Sequence, residues 1–160
     1  MSKIKVAPIL FLSFLLAFTS CTNTLNDDDE TLYTNMKIST IEKEVIELVN
    51  EYRVSKGLNK LEYGTIAYEF AKEHTEYMIS EGAISHDNFD IRSSDLSVKA
   101  NANFVSENVG RNFSNASAVV EAWKNSPAHK KVMEGDFTYT AVSAEADANG
   151  LLYFTELFYK

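Results

Sequence analysis

His86 lies in Ser85-His86-Asp87, His129 ends Ser126-Pro127-Ala128-His129, and Glu107 stands between them in Ser106-Glu107-Asn108. Imidazole and carboxylate are the usual side chains for holding metals and moving protons. Two imidazoles from different loops could bind Zn2+ or another divalent metal, with Glu107 carrying a water or orienting one ring. Such a site, with two protein ligands, is weaker and more open than one with three. The same trio could equally be a hydrogen-bonded cluster that joins the loops, with Asn108 satisfying backbone groups. The residues alone leave both readings open. His74 shares an apolar helical face with Ala67, Ala71 and Met78, which marks it as a core histidine. Ser85 and Ser126 sit near the histidines, but neither has an oxyanion-hole signature. There is no phosphate loop, no His-Glu-x-x-His helix and no Gly-x-Ser-x-Gly elbow.

The elements that must position these residues are legible as patterns. Ser39-Thr-Ile-Glu42 is a capping box, and Ile41, Val45, Val49 and Tyr52 follow at helical spacing up to Gly57. A second helix is expected from Thr65 to Glu81, ended by Gly82. Residues 85 to 90 read as loop and 91 to 100 as a third helix. Residues 104 to 109 read as a short strand. Asn115 can cap a helix carrying Val119, Val120 and Trp123, and Pro127 opens a further turn or short helix. Residues 138 to 146 and 151 to 159 alternate around Asp147-Ala-Asn-Gly150, a hairpin signal. Helices followed by mixed short strands and helices imply an α+β fold, a small antiparallel sheet flanked by helices.

The N-terminus reads as a leader. Lys3 and Lys5 precede a nearly continuous apolar run from Ala7 to Phe18. That is about a dozen residues, where a spanning helix needs roughly 20, so residues 1–20 fit a signal peptide. The run ends at the only cysteine, Cys21. Thr19-Ser20-Cys21 resembles a bacterial lipobox, whose cysteine is lipidated and becomes the mature N-terminus. Two or more acyl chains suffice for stable anchoring. Residues 21–37, with Asp27-Asp28-Asp29-Glu30, read as a polar acidic tether, and residues 38–160 as the domain. The expected location is the cell envelope, lipid-anchored to a bacterial membrane, on the periplasmic or surface side of the outer membrane. Removing Lys3 and Lys5 from the 15 basic residues leaves 13 against 23 acidic ones, a net charge of −10. That balance excludes nucleic acid as a partner. The domain is expected to be a monomer, and no disulfide can form within it.

Taken in order, the pieces resemble the CAP superfamily of cysteine-rich secretory, antigen 5 and pathogenesis-related proteins (the SCP domain). They are Leu48-Val49-Asn50-Glu51-Tyr52-Arg53, then Ala71, His74 and Met78, Ser85-His86, Glu107-Asn108-Val109, Trp123 with Ser126-Pro127-Ala128-His129, Phe137-Thr138, and Tyr153 to Phe158. The Ser-Pro-x-His form resembles the disulfide-free bacterial branch. This resemblance implies an α-β-α sandwich with a three- or four-stranded antiparallel sheet and a shallow cleft that gathers two histidines and two glutamates. His86, Glu107 and His129 match three of the four; Ser126 stands where the second glutamate is usual. Glu156 replaces the usual glutamine of the last strand. The implied function is a membrane-anchored, non-enzymatic domain binding a metal, a lipid-like small molecule or an envelope protein through the cleft. The alternative is a His/Glu- or metal-dependent peptidase or esterase, with His86 or His129 as base or ligand and Glu107 as its partner.

Overall fold

Residues 39–160 are described by a computed structural model. Cys21, the leader and the acidic stretch lie outside the described residues. The capping box forms as the sequence suggests. Ser39 Oγ accepts from the Glu42 amide and Glu42 Oε2 accepts from the Ser39 amide at 2.7 Å, starting α1 (Thr40–Ser55). Glu42 Oε1 reaches further and accepts from the amide of Ala144 at 2.9 Å. After Gly57, which turns the chain at φ +77°, Asn50 brackets Leu61. Its Oδ1 accepts from the Leu61 amide at 2.7 Å and its Nδ2 donates to the Leu61 carbonyl at 3.0 Å. That clamp feeds the chain into β1 (Glu62–Tyr63) and α2 (Thr65–Glu81), closed by Gly82 in the left-handed region.

The remaining elements are α3 (Phe89–Lys99), β2 (Val105–Arg111), α4 (Ala116–Asn125), α5 (Pro127–Met133), β3 (Tyr139–Ala146) and β4 (Leu152–Tyr159). The sheet order is β1-β3-β4-β2. β4 pairs antiparallel with β3 and β2, whereas β1 pairs parallel with β3. This short parallel pair was not expected: two residues are too few to show a period. β4 is central, with helices over both faces, so Tyr153 to Tyr159 are all buried.

Even-numbered residues of β3 and β4, such as Val142, Phe154 and Phe158, pack with Val45, Val49, Val120, Trp123 and Met133 of α1, α4 and α5. Odd-numbered Ala141 and Leu157 pack with Ala67, Phe70 and Ala71 of α2 and Leu96 of α3. The result is the expected helix–sheet–helix sandwich. Trp123 Nε1 donates to the Val109 carbonyl at 3.0 Å, tying α4 to β2 at the sheet edge. Val119 packs so closely there that a Cβ on Gly110 would lie 2.8 Å from its Cγ2. Gly110→Ala should therefore lower stability by about 1–3 kcal/mol, read as a shift of the urea midpoint with an unchanged slope.

Candidate functional site

Cross-strand pairing places Glu107 beside Leu157, on the α2–α3 face, and Asn108 beside Glu156, on the opposite face. At this edge strand the two faces meet the loop that carries His86 and the short helix α5 that carries His129, which is therefore helical rather than in a loop as its sequence suggests. Glu107 is only 7% exposed. Arg92, from α3, grips it with two parallel hydrogen bonds of 2.9 Å, Nε to Oε2 and Nη2 to Oε1. Fork-to-fork pairing is the strongest neutralisation a carboxylate finds in a protein. Arg92 Nη1 also donates to the Asp87 carbonyl at 2.6 Å, so the arginine fixes the loop that presents His86.

His86 Nδ1 lies 2.8 Å from Glu107 Oε1. A carboxylate oxygen held by Arg92 can only accept, so Nδ1 carries the hydrogen. In the neutral ring the lone pair then sits on Nε2, and the side chain is 55% exposed. His74 lies behind, 3% exposed, as a core histidine should be. Its Nε2–H donates to the Ser85 carbonyl at 2.8 Å, and the same nitrogen is 3.8 Å from Glu107 Oε1. Burial pushes its pKa down, which Glu107 only partly offsets, so the ring is neutral at pH 7.

His129, on α5, is half-buried and faces Trp123 with ring centroids 6.5 Å apart. Burial first, and then the neighbouring His86, push its pKa down. Its ring makes no hydrogen bond to Glu107 or His86 among the described residues; its carbonyl accepts from Asn108 Nδ2 at 3.3 Å. Ser126 ends α4 and precedes α5, and its carbonyl accepts from the Lys130 amide at 2.8 Å. Its hydroxyl caps neither helix, so the support it lends is through the backbone.

The arrangement fits a metal poorly. Among the described residues no group of three or more His, Cys, Asp and Glu side chains is placed to hold an ion. Glu107 has both oxygens engaged, which leaves at most the two imidazoles, one short of the three protein ligands of an open zinc site. Chemically, the site offers an imidazole oriented by a carboxylate, its acceptor nitrogen open to solvent. No hydroxyl or thiol is hydrogen-bonded to that ring among the described residues.

Arg92 was missed from the sequence. Among Ser93, Ser94 and Asp95 it reads as part of a solvated helix face. The one available signal was its i,i+4 spacing to Leu96, the other buried residue of α3.

The CAP (cysteine-rich secretory protein) family profile matches residues 46–158, nearly the whole described region. The chain belongs to the CAP family. It is 32% identical over 126 residues to an uncharacterized membrane protein, YlbC, of Bacillus subtilis (strain 168), which covers 76% of this chain but only 35% of YlbC. Among solved structures it is similar to an outer surface protein from Borrelia burgdorferi, at 25% identity and a TM-score of 0.68, covering 77% of this chain and 96% of that one. An extracellular SCP-domain protein from Bacillus anthracis shares the fold at 22% identity and a TM-score of 0.66, over 74% of this chain and 40% of that protein. Within this CAP domain Arg92 neutralises Glu107.

Proposed function

We propose that this is a non-enzymatic, ligand-binding CAP domain of the bacterial cell envelope, tethered to the membrane through lipid on Cys21. The observation that carries this reading is the saturation of Glu107. With both oxygens held by Arg92 and His86, the carboxylate serves to aim His86 Nε2 outward. A fixed acceptor with no adjacent nucleophile is suited to recognising a donor group on a ligand. The half-buried ring of His129, backed by the buried indole of Trp123, supplies an apolar flank. Relatives named as a membrane protein and an outer surface protein support the envelope location. No helix among the described residues is long and apolar enough to cross a membrane. Attachment in this reading is through the N-terminal segment.

Calorimetric titration of the full chain and of His86→Ala with 1-dodecanol, whose hydroxyl can donate to Nε2, and separately with zinc chloride, tests the binding role. Saturable heat with either probe that disappears in the variant is the expected result. Zinc alone should bind more weakly than roughly micromolar, because two imidazoles are one ligand short of an open three-ligand site. The hydrolase reading is favoured by one feature, the carboxylate-oriented imidazole. Turnover of a p-nitrophenyl ester or a peptide that is abolished in His86→Ala would replace the binding role with it. Heats unaffected by His86→Ala would remove His86 from the site.

A further inference from the structure

Two hollows run end to end along α2. One, of about 330 Å3, lies between α2 and α3 and is lined by Phe70, Glu73, Tyr77, Ile91 and Asp95, with His74 and Arg92 at its inner wall. The other, of about 320 Å3, continues toward the start of α2 past Ile66, Glu69 and Lys99. Phe70 and Glu73 line both, so the hollows form one groove. From Ile66 to Tyr77 a helix rises about 16 Å, the reach of about five extended residues.

The groove is apolar inside and acidic along its rim. Ile66 and Ile91 are 41% and 57% exposed. Of the six large apolar side chains exposed among the described residues, Ile66, Ile84, Ile91 and Val98 all lie on α2, α3 or the loop between them. Of these, Ile66 and Ile91 line the groove itself. Glu69 and Glu73 make no ion pair among the described residues, and Asp95 meets only Lys99, at 3.9 Å. Lys99 is itself drawn over the Phe70 ring, 4.8 Å from its centroid. Arg92, the other cation on the wall, is committed to Glu107. The uncompensated charge in the groove is therefore negative.

We infer that this groove docks a short extended segment of another protein in which basic and apolar side chains alternate. Apolar side chains of such a segment would lie on Phe70 and Ile91, and its ammonium or guanidinium groups would meet Glu69, Glu73 and Asp95. Charge disfavours the nearer occupants that remain once a leader holding Lys3 and Lys5 is removed. The chain's own Asp27 to Glu30 segment carries the wrong sign, a second copy then brings a net charge of −10 (13 basic against 23 acidic residues), and anionic lipid is repelled. His86 does not line this groove, although Arg92 and His74 at its inner wall also contact Glu107 behind His86.

The test uses a fluorescein-labelled hexapeptide of alternating lysine and leucine, with a glutamate–leucine hexapeptide as control. Anisotropy is measured against the full chain, and backbone amide shifts are mapped by NMR. Saturable binding of the basic peptide alone is expected, weakening with salt and shifting the amides of Ile66, Phe70, Glu73 and Ile91. Glu69→Gln/Glu73→Gln should weaken it about tenfold, and Ile91→Asp, at an exposed position, should do likewise with the amide spectrum otherwise intact. Absence of saturable binding, equal binding of the acidic peptide, or shifts on another face would overturn the inference. Sedimentation showing a dimer that Ile91→Asp disrupts would give the groove to a second copy and overturn it too.

Discussion

Arg92→Ala should destabilise the domain by about 3–5 kcal/mol, because it leaves the Glu107 carboxylate buried without its counter-ion. The arginine and carboxylate side chains are 10% and 1% exposed, so water cannot replace the lost bonds without the loop moving. The loss of the Asp87 carbonyl's partner adds to the cost and frees the His86 loop. Urea unfolding measures the effect. Arg92→Ala/Glu107→Gln should recover part of the loss, since a neutral amide is cheaper to bury than an unpaired carboxylate. A double variant no more stable than Arg92→Ala alone would mean that the ion pair is not what the arginine contributes. The same substitution releases Glu107 oxygens, and zinc binding at His86 should strengthen if a cation and Arg92 compete for that carboxylate.

The second large effect concerns Glu156, which is fully buried in the central strand. Burial raises its pKa to about 8, outweighing the opposing hydrogen bond from Thr140 and the charge of Arg53 on α1. The geometry agrees. Thr140 Oγ1 has one hydrogen but lies 3.0 Å from both Glu156 Oε1 and the Leu157 carbonyl. Both contacts are satisfied when the carboxyl is protonated and donates to Thr140, whose hydrogen then goes to Leu157. Among the described residues Glu156 Oε2 has no partner, nor does Oδ1 of Asn108, the residue paired with it on β2. A place this rich in acceptors favours a neutral acid. Between the ordinary glutamate value near 4.5 and about 8, the folded chain keeps a proton that the unfolded chain has released. The contribution of Glu156 to stability is thus fullest below 4.5 and falls as pH rises, by up to about 1.4 kcal/mol per pH unit across that window. Glu156→Gln should flatten the decline and leave the variant more stable than the parent at pH 8 to 9. Urea midpoints from pH 5 to 9 for both proteins decide it; parallel curves would show that Glu156 does not titrate in that range.

Much of the architecture was legible because it rests on local signals. The Ser39–Glu42 box, Gly82 at the end of α2, Asn115 before α4 and the turn at Asp147 to Gly150 each act within a few residues of themselves. The resemblance added the sandwich and placed Glu107 and His86 together. What stayed hidden is long-range. Arg92 and Glu107 are 15 positions apart, and nothing in α3 announces that its arginine points inward. The expected trio is only partly joined by hydrogen bonds: Glu107 on the sheet meets His86 from the α2–α3 loop, while Asn108 on the opposite face reaches the backbone of His129, whose ring neighbours His86 without bonding it. Glu156 stood out as a charged replacement for the usual glutamine, but only its burial indicates that it is protonated at neutral pH.

Glu42 belongs to two structures at once, the first turn of α1 and the outer side of β3. β1 covers only Tyr139 and Thr140 of that strand, so the stretch around Ala144 would otherwise be a bare edge. One side-chain oxygen stands in for a missing neighbouring strand. If the first turn of α1 frays, helix end and sheet edge open in the same event, and β3 becomes a template on which another molecule can add. That single carboxylate occupies the edge amide of Ala144 with which a second strand would otherwise pair.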